Sequence, residues 1–154
     1  MIVAVVGKGR NCPPEVADIA RFVGYAVGAA GHVLVCGGLG GVMDAAAAGA
    51  AMAGATVIGL VPNQDPPNDN CTIALATGLP PTVRNIVVGS CCDALLALGG
   101  SHGTMQEIAV ALDREVPVAA VETDRWIGLV PERIGRDHVP AWLAQVELRR
   151  SCVA

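Results

Sequence analysis

The stretch RNIVVGSCCDALLALGGSHGTMQE, residues 84 to 107, decides the fold. It reads as a short helix opening at Arg84, a fully apolar strand from Ala94 to Leu98, a glycine-rich turn, and a second helix opening at Thr104. A strand that is apolar on both faces belongs inside a sheet covered on both sides. Helices in such a layer run antiparallel to the strands they cover. The start of the first helix therefore returns to the same sheet edge as the turn at Gly99 to Gly103. That edge, at the carboxyl ends of the strands, is where open α/β sheets bind ligands. The cation of Arg84, a glycine turn, the Thr104 hydroxyl and the Glu107 carboxylate are thus expected to converge on one point.

The flanking sequence repeats the same alternation. Ile2 to Val6 is a continuous apolar run ending in Gly7, the pattern of a central strand. Pro13 and Pro14 open a helix that carries Val16, Ile19, Ala20, Val23 and Val27 on one face and ends near Gly31. His32 to Cys36 is a second strand, and the turn Gly37-Gly38-Leu39-Gly40-Gly41 leads into a helix from Val42 to about Ala53. A third strand covers Thr56 to Val61, followed by a Pro, Asp and Asn loop and a short extended segment at Cys71 to Ala76. Beyond the central stretch, the second helix runs to about Glu115 and Val116 to Val121 is another strand. Trp126 and Ile127 mark a minor strand, and Pro140 to Arg150 a terminal helix. Strands alternating with helices predict an α/β, Rossmann-like, doubly wound sheet, mostly parallel, with helices on both faces. No internal repeat or long linker interrupts it, so residues 1 to 154 are read as one domain.

Composition narrows the function. Hydrophobic residues make up 53% of the chain but aromatics only 3%, so the core is built from Ala, Val, Leu and Ile. The 19 glycines, with many alanines, predict close backbone approach between layers. The net charge is −4 and Lys8 is the sole lysine, with no basic run longer than Arg149-Arg150. Nucleic-acid binding needs a clustered positive surface, so no nucleic-acid partner is expected. Cys91 and Cys92 are adjacent, Cys36 ends an apolar strand, and no C-x-x-C pair occurs. The six cysteines therefore read as small buried hydrophobes, with neither a disulfide framework nor a metal site. Met1 to Val6 is too short for a signal sequence and its charges follow it, and the glycines within Ala45 to Pro62 argue against a membrane span. A cytoplasmic protein without a membrane partner is expected.

Two nucleotide motifs fail. Gly7-Lys8-Gly9 is followed by Cys12 where the dinucleotide fingerprint needs its third glycine, and the second strand ends in Cys36 instead of an acid. No Gly-Lys-Ser/Thr of a phosphate-binding loop exists. What remains are glycine turns that open helices, where exposed amides and the helix dipole favour an anion. Thr104-Met105-Gln106-Glu107 also fits a helix capping box, with Thr104 at the cap. Arg84 near a helix start is disfavoured by the dipole by roughly 0.3–1 kcal/mol, which a bound anion would offset.

The segments GGLGGVMDAAAAGA (37–50), TGL (77–79) and RNIVVGSCCDALLALGGSHGTMQE (84–107) resemble the Lonely Guy family of cytokinin-activating phosphoribohydrolases and their relatives. The likeness covers about residues 1 to 121 and is closer to a short branch that includes the molybdenum-cofactor carrier proteins. It implies a phosphate-bearing ligand, a nucleoside monophosphate or a phosphorylated pterin, with no further cofactor required. On the first turn it places the contacts at Gly37, Gly38, Gly40 and Gly41, beside Gly7. On the second it places them at Gly99, Gly100, Ser101, Gly103 and Thr104, with Arg84 and Asn85 from the helix start. The family's catalytic arginine and glutamate correspond to Arg84 and Glu107. Two departures stand out. The hydrolases have Pro-Gly-Gly at Gly99-Gly100-Ser101 and Arg-Lys at Arg84-Asn85.

Three functions share this site. A hydrolase would use Glu107, ionised in the first helical turn, to stabilise the charge that builds on ribose as the base departs. A carrier would hold a phosphorylated pterin without turnover, and a nucleotide sensor would only change partner contacts. The resemblance also implies a homo-oligomer, a dimer or tetramer. The alanine-rich helix at 42–53 has a face that could meet a second copy or be buried within one subunit.

Overall fold

The computed structural model describes residues 1–126 and 128–152. Its centre is one sheet of seven strands in the order β4-β3-β2-β1-β5-β6-β7. The strands are β1 (Ile2–Gly7), β2 (Val33–Cys36), β3 (Val57–Val61), β4 (Ile73–Ala76), β5 (Ala94–Leu98), β6 (Val118–Val121) and β7 (Glu132–Ile134). Every pairing is parallel. The chain winds outward from β1 through β2, β3 and β4, then returns to the other side of β1 with β5 and winds outward again. The reversal lies between β1 and β5, whose register runs from Val3 opposite Ala94 to Gly7 opposite Leu98.

Successive side chains of each central strand enter opposite cores, as strand geometry requires. Val3, Val5, Leu34, Cys36, Leu96 and Leu98 meet one helical layer, formed by α1 (Pro14–Ala29), α2 (Val42–Met52) and α5 (Val139–Ser151). Ala4, Val6, Val35, Leu95 and Ala97 meet the other, formed by α3 (Pro81–Ser90) and α4 (His102–Asp113). The expected architecture is therefore present.

Close backbone approach is found where two helices of one layer cross. A Cβ on Gly24 would stand 1.9 Å from the carbonyl oxygen of Ala46, and one on Gly49 would stand 1.9 Å from that of Arg21. Helices α1 and α2 touch backbone to backbone there. The alanine-rich face of α2 is accordingly buried within this chain.

Four local expectations change. Trp126 lies in a turn and not in a strand, and Ile127 is outside the described residues. The last strand is β7, three residues long with one aliphatic side chain, too short and polar to stand out in the sequence. Helix α3 starts at Pro81, where proline needs no donor, so Arg84 is already one turn inside. Cys36 and Cys92 are buried as expected, whereas Cys91 and Cys152 are exposed. Among the described residues no helix is long and apolar enough to cross a membrane, and no cluster of three or more His, Cys, Asp or Glu could hold a metal ion.

Candidate functional site

A cavity of about 160 Å³ lies at the carboxyl ends of β1 and β5, at the reversal of strand order. Val5, Val6 and Gly7 of β1 form its floor, and Gly37 joins them from the end of β2. Helix α3 contributes Pro81, Arg84 and Asn85, while α4 and its cap contribute Ser101, Gly103, Thr104 and Glu107.

Arg84 enters this space because the neighbouring turn has no side chain to stop it. A Cβ on Gly37 would stand 1.9 Å from Nη1 of Arg84 and 2.6 Å from Sδ of Met43. Arg84 is only 5% exposed, and its Nε has no hydrogen-bond partner. Its nearest acid is Glu107, with 4.0 Å between Nη1 and Oε1, too far for a hydrogen bond. Burial lowers the Arg84 pKa, and the Glu107 charge opposes that effect. Glu107, 6% exposed, is pushed up from 4.5 to about 7 by burial, with Arg84 pulling it down. A desolvated cation with unused donors therefore faces an acid that is half neutral near pH 7.

The capping box is not formed. Helix α4 begins at His102, its cap position is the extended Ser101, and Thr104 lies inside the first turn. Gly103 is accommodated as a helical residue, which moves the start two residues ahead of the T-x-x-E signal. Glu107 consequently falls in the second turn, without the dipole's full help, and burial dominates its pKa. The Ser101 side chain makes no capping bond, which leaves the first-turn amides of α4 available at the cavity wall. Thr104 folds back beneath Gly100, which has φ +108°, a value that suits glycine. Asn85 donates from Nδ2 to Oε1 of Gln106 at 3.2 Å and ties α3 to α4.

The other glycine turn is organised differently. The Val42 amide at the start of α2 donates to the Lys8 carbonyl at 2.9 Å, and the Gly38 amide donates to Sγ of Cys36 at 3.4 Å. The Gly38 and Leu39 carbonyls accept from Asn68, at 2.8 and 2.9 Å. Of the residues expected to gather, the cavity wall contains Gly7, Gly37, Arg84, Asn85, Ser101, Gly103, Thr104 and Glu107. Gly38, Gly40, Gly41, Gly99 and Gly100 are not part of that wall. Gly40 lines a separate groove with Asp44 and residues 66–70, and the Gly99 carbonyl accepts from Nε1 of Trp126 at 2.9 Å.

Sequence reasoning missed Met43 and Pro81. Both carry ordinary helix-start and core signals; Pro81 lies one turn before Arg84 in α3, and Met43 is brought beside Arg84 only where Gly37 has no side chain.

Comparison with known proteins gives the family and the fold. The model of the SLOG cluster4 family matches residues 1–141. The chain belongs to that family. Among curated relatives, an uncharacterized protein of Archaeoglobus fulgidus is 41% identical over 123 residues, covering 79% of this chain and 80% of the relative. Two solved structures are similar to this SLOG cluster4 protein over nearly their whole length. The molybdenum cofactor carrier protein of Chlamydomonas reinhardtii superposes with TM-score 0.85 at 29% identity, covering 96% of this chain and 98% of that one. The molybdenum cofactor binding protein of Rippkaea orientalis gives TM-score 0.82 at 28% identity, covering 99% and 97%.

Proposed function

We propose that this protein binds a phosphorylated small molecule at the β1–β5 edge, and that the favoured class is a phosphorylated pterin of the molybdenum-cofactor type. One observation carries the reading: Arg84 is buried with Nε unpaired, beside the uncapped start of α4. A buried guanidinium without partners costs several kcal/mol, which a hydrogen-bonded anion offsets. In this arrangement Arg84 and the first-turn amides of α4 take the phosphate. Asn85, already turned toward α4, orients the remainder of the ligand. Glu107 in its neutral form donates a proton toward the anion, so binding draws a proton onto it. The likeness to two molybdenum-cofactor binding proteins over their whole length supports the pterin class.

Hydrolysis of a nucleoside 5′-monophosphate is the second reading, favoured by the Arg84–Glu107 pair and by an acid with pKa about 7, a value suited to proton transfer. Against it, glycoside hydrolysis ordinarily uses two carboxyl groups, and among the described residues Glu107 is the single acid of the cavity wall. The homo-oligomer implied by the resemblance belongs to the same proposal and is read by sedimentation.

Titration calorimetry with AMP and adenosine tests phosphate recognition. AMP is expected to bind roughly tenfold or more tightly than adenosine, since charge-assisted bonds to phosphate supply most of the affinity. Equal affinities contradict the proposal. Release of free base from a panel of purine and pyrimidine monophosphates separates the two readings. Turnover that Glu107→Gln abolishes, with ligand affinity retained, establishes the hydrolase. No turnover by the wild-type protein leaves the carrier.

A further inference from the structure

Away from the cavity, the sheet brings two thiols together. Cys36 ends β2, and its register partner on β3 is Gly59. Register partners on parallel strands point to the same face of the sheet. A Cβ on Gly59 would stand 2.5 Å from Sγ of Cys71 and 3.4 Å from its Cβ. The missing side chain of Gly59 is therefore the slot that Cys71 fills, which sets its thiol beside Cys36 beneath α2. The two thiols influence each other, Cys71 together with burial raising the Cys36 pKa and Cys36 lowering that of Cys71. Cys36 is fully buried, and Cys71 is half-buried.

The segment that carries Cys71 already clasps the first glycine turn. Asn68 donates to the Gly38 and Leu39 carbonyls. Asn70 donates from Nδ2 to Oδ1 of Asp44 at 2.8 Å. The Cys71 thiol itself reaches Oδ1 of Asn68 at 3.4 Å. Hydrogen bonds near the surface and the packing of Cys71 hold this clasp without a covalent link.

We propose that Cys36 and Cys71 form a reversible disulfide that locks the clasp at residues 68–71 onto the turn at Gly37–Gly41, with a small-molecule disulfide as the oxidant. The Cys71 thiolate attacks one sulfur of the oxidant, forming a mixed disulfide and releasing one thiolate. Cys36 then loses its proton to solvent and attacks the Cys71 sulfur, releasing the second thiolate. Two protein thiols are oxidised by two electrons, and one external disulfide is reduced to two thiols. Cys71 suits the attacking role because it is the more accessible of the two and the neighbouring Cys36 thiol lowers its pKa. Cys36 suits the resolving role because burial keeps it from the oxidant while its sulfur lies within reach of Cys71.

The whole protein, incubated with oxidised glutathione, is digested and mapped without reduction. A peptide joining Cys36 to Cys71, lighter by two hydrogens and restored by dithiothreitol, is expected. Closing this loop is expected to raise Tm by on the order of 5–10 °C and to slow proteolysis between residues 62 and 72. Cys71→Ser is expected to lose the link, the Tm rise and the protection together, and Cys36→Ala to do the same while keeping the apolar contact of the core. A map with Cys71 glutathionylated and no link to Cys36 overturns the proposal. So does an equal Tm rise in Cys71→Ser. None of these readouts requires a bound ligand, so their failure is independent of the function proposed above.

Discussion

Gly37–Gly41 and Gly99–Gly103 both join a central strand to a helix, and both end at the same sheet edge. The first satisfies its polar groups inside the chain, through Lys8, Cys36 and Asn68. Only Gly37 of that turn reaches the cavity, where its missing side chain admits Arg84. The second turn is pinned by Trp126 at Gly99, and its helix opens without a cap. Glycine content alone therefore does not identify an anion site. Neither helix has a side-chain cap; what distinguishes the two is that the first amide of α2, Val42, is taken by the Lys8 carbonyl, whereas among the described residues no such bond meets the start of α4.

The largest effect that sharpens this contrast is on stability. Gly41 has φ +67°, and a Cβ there would stand 2.2 Å from the Lys8 carbonyl oxygen, a backbone atom. Gly41→Ala is expected to lower stability by on the order of 3 kcal/mol, seen as a fall in Tm. A Tm unchanged from wild type would break the structural role given to the first turn.

Arg84→Met keeps much of the side-chain volume and removes the buried charge. Affinity for AMP is expected to fall by on the order of 100-fold, while the ligand-free protein is as stable as wild type or more so, because a desolvated cation with no hydrogen bond to its nearest acid leaves the interior. Calorimetry and thermal unfolding read the two outcomes separately. A marked loss of ligand-free stability would make Arg84 a structural partner of Glu107.

Glu107 links the site to pH. An acid with a higher pKa in the folded protein binds its proton more tightly when folded, so its contribution is complete below the unfolded value. For Glu107 that contribution is lost as pH rises from 4.5 through about 7. Glu107→Gln is expected to flatten this part of the profile and to gain roughly 2 kcal/mol over wild type at pH 8. Denaturant titrations from pH 4 to 8 check it, and parallel profiles for the two proteins would contradict it. Anion affinity of the wild type is likewise expected to weaken above pH 7 relative to the variant.

The smallest effect is expected at Gly103. Its Cβ would meet only Nδ2 of Asn85, at 3.0 Å, the movable end of a side chain. Gly103→Ala is expected to change stability by less than about 0.5 kcal/mol yet to weaken AMP binding, because the methyl enters the cavity wall. Comparable losses of stability in Gly103→Ala and Gly41→Ala would erase the distinction between the turns.

The fold was legible because its central strands are apolar on both faces, a signal that survives without tertiary information. Ala94 to Leu98 was placed to the residue. The edge strand β7 was not, because three residues with one aliphatic side chain carry no periodicity. The convergence of Arg84, Thr104 and Glu107 followed from helix direction alone, and Asn85 was added by the resemblance. Their burial did not, since Arg84 is buried only where Gly37, distant in sequence, leaves room for it. The T-x-x-E pattern misled for a related reason. A capping box is local, and here the packing of Thr104 under Gly100 extended the helix past it. The exclusion of Gly38, Gly40 and Gly41 from the cavity was equally hidden, because it depends on hydrogen bonds donated by Asn68 and accepted by the Lys8 carbonyl across the sheet edge.

The central claim, that the second glycine turn and Arg84 carry the anion while the first turn is structural, is tested most directly by amide NMR during titration with inorganic phosphate. The account predicts saturable shifts at the Gly103 and Thr104 amides and at the Arg84 Nε–H, with Gly40 and Gly41 unmoved. Shifts confined to Gly38, Gly40 and Gly41, with Gly103 and Thr104 unmoved, would contradict it.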